Sequence, residues 1–285
     1  MSGRGAPGDP GMATIGEALR QAGVSLGGTE ARALMRCALR RDAAYLIAHA
    51  GKALDSRQQQ AYEALVRRRA DGEPLAYLTG EREFYSLPFR VTPAVLIPRP
   101  ETELLVELAL QRIPAGRDCR VLELATGSGC VAVAIAMQRP RARVLATELA
   151  PEALALAREN AARHRAGNIE FVASDWFEAL GAARFEVIVA NPPYVAEGDP
   201  HLAQGDLRHE PRAALVAGAD GLECIRTIVA GAGAHLAPGG WLLFEHSHDQ
   251  APRCRALLVA AGFGQVLTER DLAGIERVSG GRRGG

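Results

Sequence analysis

The feature that most constrains this chain is a strand, a glycine-rich turn and a helix in immediate succession. Arg120-Val121-Leu122-Glu123-Leu124-Ala125 is a short apolar run of strand type, Thr126-Gly127-Ser128-Gly129 a turn, and Cys130 to Gln138 a helix of small residues. Such a unit forms the ligand-binding corner of an open α/β sheet. The alternation then repeats. Val144-Leu145-Ala146-Thr147 reads as a strand ending at Glu148, Pro151 opens a helix to about His164, and Ile169–Ala173 is a third strand ending at Ser174-Asp175-Trp176. Phe185-Glu186-Val187-Ile188-Val189-Ala190 is the fourth strand, Leu222–Leu236 is helical, and Gly240–Glu245 is the fifth strand. A helix over Pro252–Ala261 precedes strand-like Gln265–Thr268 and a last short strand around Ile275–Val278. This pattern predicts an α/β fold with a mostly parallel seven-stranded sheet, helices on both faces and a hairpin-like closing pair.

Ahead of this core the pattern is helical. Residues 1–11 are rich in Gly and Pro without an apolar centre and read as a disordered leader, not a signal peptide. Residues 12–72 form a small helical domain, with Thr29, Asp42 and Asp55 placed to cap successive helices. Arg67-Arg68-Arg69 ends the last of these, where cations suit the negative end of the helix dipole. Residues 73–98 read as a linker carrying a β-hairpin around Ser86-Leu87, and 99–285 as the α/β domain. Pro98, Pro100 and Glu101 announce the helix that opens it.

Composition narrows the function. The 33 basic residues balance 33 acidic ones, so no global polyanion-binding signature exists. Five scattered cysteines without a CxxC pair predict neither a disulfide framework nor a zinc site. No apolar stretch approaches the ~18 residues of a membrane span. These traits fit a cytoplasmic protein with reduced thiols.

The residues with chemistry in them cluster after the predicted strands. Asn191-Pro192-Pro193-Tyr194 is stiff: Asn191 is pushed towards an extended conformation by the proline after it, and both prolines have fixed φ and no N–H. It presents an amide side chain, free carbonyls and an aromatic ring, so an NH2 group can be gripped by the Asn191 oxygen and a backbone carbonyl. Glu148, about twenty residues beyond the glycine turn, is placed to accept hydrogen bonds from ribose hydroxyls. Asp175 and Trp176 stand where an adenine would lie, the one for its amino edge and the other for stacking. Gly127-Ser128-Gly129-Cys130-Val131-Ala132 also fits GxGxxA, the dinucleotide pattern of a dehydrogenase, with His246 and His248 as the nearest acid/base candidates. His-x-His as a metal pair lacks a third ligand of suitable spacing, and no metal is expected.

Taken together, Leu124-Ala125-Thr126-Gly127-Ser128-Gly129, Glu148, Ser174-Asp175-Trp176 and Asn191-Pro192-Pro193-Tyr194 resemble the Rossmann-like class I S-adenosylmethionine-dependent methyltransferases. Ile97-Pro98-Arg99-Pro100-Glu101-Thr102-Glu103, Asp199-Pro200-His201-Leu202, Gly205–Pro211 and Leu243-Phe244-Glu245-His246 resemble, more narrowly, the peptide-chain-release-factor glutamine N5-methyltransferases. That resemblance implies S-adenosylmethionine held by Ala125, Thr126, Gly127, Ser128, Gly129, Glu148, Asp175, Trp176 and Asn191. It implies Asn191, Pro192 and Tyr194 as catalytic residues, with Pro193 completing the substrate grip. Phe84, Arg99 and Glu101 are further candidates for closing the site. The implied partner is a class I release factor, methylated on the glutamine of its Gly-Gly-Gln motif, with no nucleic acid or membrane contact required. Two departures from the family pattern stand out: Glu123 and Ala125 where Asp-x-Gly is usual, and Glu148 for the commoner Asp. The same tetrapeptide also serves nucleic acid amino-methyltransferases, which neutral charge disfavours, and a catalytically dead binding module would not need Asn191, Glu148 and the glycine turn intact.

Overall fold

A computed structural model describes residues 12–284 and divides the chain into two units, one up to Gly80 and one from Glu81. The leader expected at 1–11 lies outside the described residues. In the first unit, side-chain caps fix where helices start. Helix α1 (Ile15–Leu26) begins at Thr14, whose hydroxyl accepts from the Glu17 N–H while the Glu17 carboxylate accepts from the Thr14 N–H. Helix α2 (Gly28–Leu39) starts directly after Gly27, whose φ of +83° turns the chain, so Thr29 sits inside the first turn and caps nothing. Asp42 caps α3 (Ala43–Ala48), and Asp55 with Gln58 caps α4 (Ser56–Ala70), as expected. Ile15, Leu34, Met35, Leu46, Leu54 and Tyr62 form the shared core. Leu78 of the short helix α5 (Leu75–Thr79) joins it, so the segment after Gly72 packs with the helices instead of linking loosely. The arginine run is drawn into ion pairs, Arg69 with Glu30 at 2.8 Å and Arg68 with Glu73 at 2.5 Å.

The second unit opens with a hairpin, β1 (Glu81–Phe84) and β2 (Leu87–Arg90). Its turn is Tyr85-Ser86, both at positive φ as a two-residue hairpin loop demands, one position before the turn predicted. A single 3-10 turn at Pro100–Thr102 leads into α6 (Glu103–Arg112). The core elements follow in order: β3 (Cys119–Leu124), α7 (Cys130–Gln138), β4 (Ala142–Glu148), α8 (Pro151–Arg163), β5 (Ile169–Ala173), β6 (Phe185–Ala190), α9 (Glu223–His235), β7 (Leu236–Glu245), α10 (Ala251–Ala260), β8 (Gly264–Arg270) and β9 (Glu276–Arg282). Strand order in the seven-stranded sheet is β5-β4-β3-β6-β7-β9-β8. Every pairing is parallel except those of β9, which runs antiparallel to both neighbours. The expected fold class is the observed one.

Alternation along each strand sends successive side chains to opposite faces. Val121, Val187, Val189 and Leu243 pack on one face with α6 and α7, together with Phe84 and Phe89 of the hairpin. Leu122, Leu124, Ile188, Leu242 and Phe244 pack on the other with α9 and α10. The chain winds leftwards through β3, β4 and β5, then returns to place β6 on the opposite side of β3. That reversal opens a crevice at the carboxyl ends of β3 and β6, the usual ligand position in an open α/β sheet.

Strand β9 approaches β7 so closely that a side chain at Gly280 has no room: a Cβ there would lie 2.5 Å from the Leu242 carbonyl oxygen. Gly280→Ala should therefore lower stability by about 1–3 kcal/mol through overpacking. Denaturant unfolding of the variant against the wild type measures this directly.

Candidate functional site

The glycine turn, Glu148 and Asn191 converge on one cleft, open to solvent, at the carboxyl edge of the sheet. Ala125, Thr126, Gly127 and Ser128 line it from the β3 side, Glu148 and Leu149 from β4, and Asn191 and Pro193 from β6. Parallel register accounts for the convergence: Leu124 lies opposite Ala190, and Glu123 opposite Ala146.

Several hydrogen bonds shape the turn. Thr126 donates its N–H to the Thr147 carbonyl at 2.9 Å, and Gly129 donates to the Thr126 carbonyl at 2.8 Å. Gly129 closes against α8, where even a Cβ would meet the Ala157 Cβ at 3.1 Å. Asn160 of α8 is buried and clamps the turn from behind, donating to the Ser128 carbonyl at 2.8 Å while exchanging hydrogen bonds with the Arg90 backbone. Glu123 sits beneath it, fully desolvated, accepting from the Thr126 hydroxyl and from the Ala132 N–H at 3.1 Å. Burial pushes its carboxyl up to about 8, against the lowering effect of those hydrogen bonds.

Glu148 is held by three backbone donors. Its Oε2 accepts from Gly127 N at 2.9 Å, and its Oε1 accepts from Leu149 N at 2.9 Å and Ala150 N at 3.0 Å. Ionised carboxylate oxygens carry about four lone-pair sites, so capacity remains for a ligand hydroxyl. Leu149, 65% exposed beside it, is an apolar surface in the cleft that sequence reasoning passed over.

The tetrapeptide is braced along its length. Asn191 donates Nδ2–H to the Thr102 hydroxyl at 3.1 Å, leaving its Oδ1 buried without a hydrogen-bond partner. Tyr194 donates its hydroxyl to Glu245 Oε1 at 3.0 Å, and Gln250 donates to the Tyr194 carbonyl at 2.8 Å. Burial, then the adjoining Glu245 carboxylate, raises the Tyr194 phenol well above its ordinary range. Glu245 itself is raised mainly by burial. Thr102 and Glu245 stand in two of the family-like stretches, but their contacts with the tetrapeptide, like that of Gln250, are revealed only by the fold.

Other expected residues fall elsewhere. Pro192 and Tyr194 do not line the cleft; Pro192 is buried and Tyr194 packs against the apolar cluster beneath the sheet edge. Asp175 is exposed and Trp176, at φ +44°, packs against that same cluster, so the indole stands beside the cleft and not in it. Phe84 is buried against Phe89, ring centroids 6.2 Å apart, because it belongs to the hairpin core, and does not close the site. Glu101 is exposed. Arg99 pairs with the buried Glu210, which also accepts from Ile97 N at 3.2 Å. This pins the end of the 198–214 segment, whose base is closed by backbone hydrogen bonds between Val195 and Leu215 and Ala217. Pro211, Ala213 and Ala214 then wall the cleft, at the end of a polar stretch, 201–211, whose sequence reads as a loop able to cover a site. His246 spends both ring nitrogens internally, on the Ser247 carbonyl and the Ser279 hydroxyl. Among the described residues no cluster suits a metal ion and no helix is long and apolar enough to cross a membrane.

A reversed-order parallel sheet, with a glycine-turn cleft at its carboxyl edge and an Asn-Pro-Pro-Tyr corner beside it, defines a class I methyltransferase fold. Residues 101–218 match the Methyltransferase small domain, and residues 13–80 the PrmC N-terminal domain. The release factor glutamine methyltransferase of Burkholderia pseudomallei is 53% identical over 279 residues, 96% of this chain and 97% of the relative. That of Xylella fastidiosa is 49% identical over 253 residues, 89% and 92% of the two chains. The chain thus belongs to the release factor glutamine methyltransferase family. A solved methyltransferase from Pyrococcus furiosus, 20% identical with a TM-score of 0.53 over 76% of this chain and 97% of its own, shares the fold.

Two consequences of this geometry are measurable. Ala125 adopts φ +54°, a left-handed conformation that costs a residue with a Cβ about 1–2 kcal/mol, partly offset by the greater unfolded-state freedom of glycine. Ala125→Gly is expected to raise the thermal unfolding midpoint, by a stabilisation of about 1 kcal/mol or less. For Glu123, the folded carboxyl titrates near 8 against an ordinary 4.5. The unfolded chain loses this proton first, so the favourable contribution is complete at low pH and disappears as pH rises through the folded value. Glu123→Gln should flatten the fall in stability between pH 5 and 8, read from urea midpoints; an unchanged slope would show that Glu123 does not titrate there.

Proposed function

We propose that this chain transfers a methyl group from S-adenosylmethionine to the side-chain amide nitrogen of the glutamine in the Gly-Gly-Gln motif of class I peptide-chain release factors. The buried, unpartnered Oδ1 of Asn191 carries this reading. An unsatisfied buried acceptor costs about 1–3 kcal/mol, and a ligand N–H at the cleft removes that cost. The family membership supports the choice of a glutamine amide over a nucleobase amine. A cytoplasmic site of action follows from the same choice of substrate, and the helical unit up to Gly80 is assigned to partner recognition.

The residues present fit the methyl donor. The Ala125–Gly129 turn offers backbone at the cleft wall, and Glu148 keeps acceptor capacity for ribose hydroxyls. When bound, the donor supplies a methyl group on a positively charged sulfur. Asn191 Oδ1 accepts one N–H bond of the glutamine amide and holds its nitrogen in line, and the Pro192 carbonyl, outside the cleft lining before substrate is seated, is the proposed acceptor of the second. Neither proline can donate a hydrogen bond, so the grip consists of acceptors alone. Orientation of this kind supplies on the order of 7–11 kcal/mol. As the nitrogen becomes positive, the same two acceptors stabilise the developing charge. The N–C bond forms as the sulfur–methyl bond breaks, and the existing N–H bonds become acidic on the positively charged nitrogen, so one proton can leave to solvent and no strong base is needed in the corner. Asp175 and Trp176 lie at the margin of the donor site, and Tyr194 acts as a braced support of the tetrapeptide.

The test is methyl transfer from labelled S-adenosylmethionine to a release factor and to its Gln→Ala variant. Label on the wild-type factor alone is expected; equal labelling of the variant, or transfer only to DNA, overturns the proposal. Asn191→Ala should lower kcat by about 100-fold or more while leaving donor affinity near wild type, measured by calorimetry alongside turnover.

A further inference from the structure

The β1–β2 hairpin contributes no residue to the cleft lining, yet it is fastened to the last turns of α8, the helix that backs the glycine turn. Arg163 pairs with Glu81 at 2.5 Å, Glu159 pairs with the Arg90 side chain, and His164 Nε2 stands 2.9 Å from the Pro88 carbonyl. Those ties lie at the surface. Asn160 is the buried member of the set, 1% exposed. Its Oδ1 accepts from the Arg90 N–H at 2.8 Å, and its Nδ2 donates to the Arg90 carbonyl at 3.0 Å and to the Ser128 carbonyl at 2.8 Å. A backbone N–H only donates and a backbone carbonyl only accepts, so these three partners allow the carboxamide a single direction. The hairpin takes the oxygen and one N–H, and the second N–H is aimed at the turn.

The turn needs a hold from outside. Gly127 at φ +55° and Gly129 at φ +80° give it little steric resistance to rotation of its peptide planes. The Ser128–Gly129 plane is held at two points. Its N–H donates to the Thr126 carbonyl at 2.8 Å, within the turn, and its carbonyl accepts from Asn160, outside it. Losing Asn160 would strip that carbonyl of its partner beside a buried Ser128, a cost that rotation towards the solvent-open cleft removes. A methyl donor would then meet a turn that must first be rotated back, and its apparent affinity would fall with the fraction of chains in the competent form.

We infer that Asn160 is a positioning residue through which the β1–β2 hairpin holds the glycine turn ready for the methyl donor, so that the hairpin belongs to the S-adenosylmethionine site although it lines none of the cleft. This rests on the functional reading above.

Calorimetry with S-adenosylmethionine, alongside steady-state methylation of a release factor by the full chain, tests the inference. Asn160→Leu keeps much of the side-chain volume and removes all three hydrogen bonds. Kd and KM for S-adenosylmethionine should rise by about 10-fold or more, with kcat at saturating methyl donor within about threefold of wild type. A residue needed only for folding would give the opposite split, because a smaller folded fraction lowers kcat and leaves KM unchanged. Glu159→Ala cuts a surface tie between hairpin and α8 while sparing Asn160, and should leave Kd within about twofold of wild type. Were Asn160→Leu to fail to fold, hydrogen exchange of the wild-type chain decides: S-adenosylmethionine should slow exchange of the Arg90 amide, outside the cleft, and an unchanged rate overturns the inference. Wild-type chain that binds no S-adenosylmethionine, or methylates no release factor, overturns the functional reading. Tight binding by the wild type with an unaltered Kd in Asn160→Leu, or with an equal rise in Glu159→Ala, overturns this inference alone.

Discussion

Parallel hydrogen bonding of β3 to β4 on one side and β6 on the other is the constraint on which the site depends. Because Leu124 faces Ala190 and Glu123 faces Ala146, three strands run out at one level. The residues that follow them emerge together, so the glycine turn, Glu148 and Asn191 meet without any long excursion of the chain. A slip of one residue would reverse every side chain of a strand and send these groups to the wrong face. The apolar alternation on both faces of the sheet makes that slip prohibitively costly, which is how core packing fixes chemistry at its edge.

The cleft is also unusually dependent on buried polar side chains. Glu123 gathers Thr126 and Ala132, Asn160 gathers Ser128 and Arg90, Gln250 gathers Tyr194 and Gly221, and Glu210 ties the Ile97 backbone to Arg99. Glu123, Asn160 and Gln250 each join segments that share no strand or helix. Polar networks of this kind give directional rigidity where apolar packing would allow sliding, and their low-dielectric surroundings make each broken bond expensive.

Much of this was legible in the sequence. Strand runs rich in Val, Leu and Ile, a glycine turn and proline stops define periodicities that local sterics enforce, so order, type and direction of the sheet elements follow from them. Glu148 and Asn191 stand at the cleft where the sequence places them because their spacing from strand ends is itself local. What escaped reading was long-range. Asn160, Thr102 and Glu245 lie many residues from the groups they hold, and nothing in their own neighbourhoods marks the contact. Trp176 stands after β5 as the sequence reading has it, and its packing against the apolar cluster is a tertiary contact that no local pattern announces. Thr29 was displaced as a cap by Gly27, whose backbone freedom let two helices follow each other almost without a break.

The two prolines after Asn191 carry a consequence for what the enzyme refuses. On the proposed reading, the acceptor corner contains the Asn191 oxygen and the Pro192 carbonyl, and no N–H from either proline. A glutamate side chain, nearly the same size as glutamine, would bring oxygens with lone pairs against these oxygens. Buried polar groups left facing their own kind discriminate far more strongly than a missing methylene in an apolar pocket. Fidelity between two side chains that differ by one amino group then comes from the absence of a donor, a property written into the backbone by proline itself.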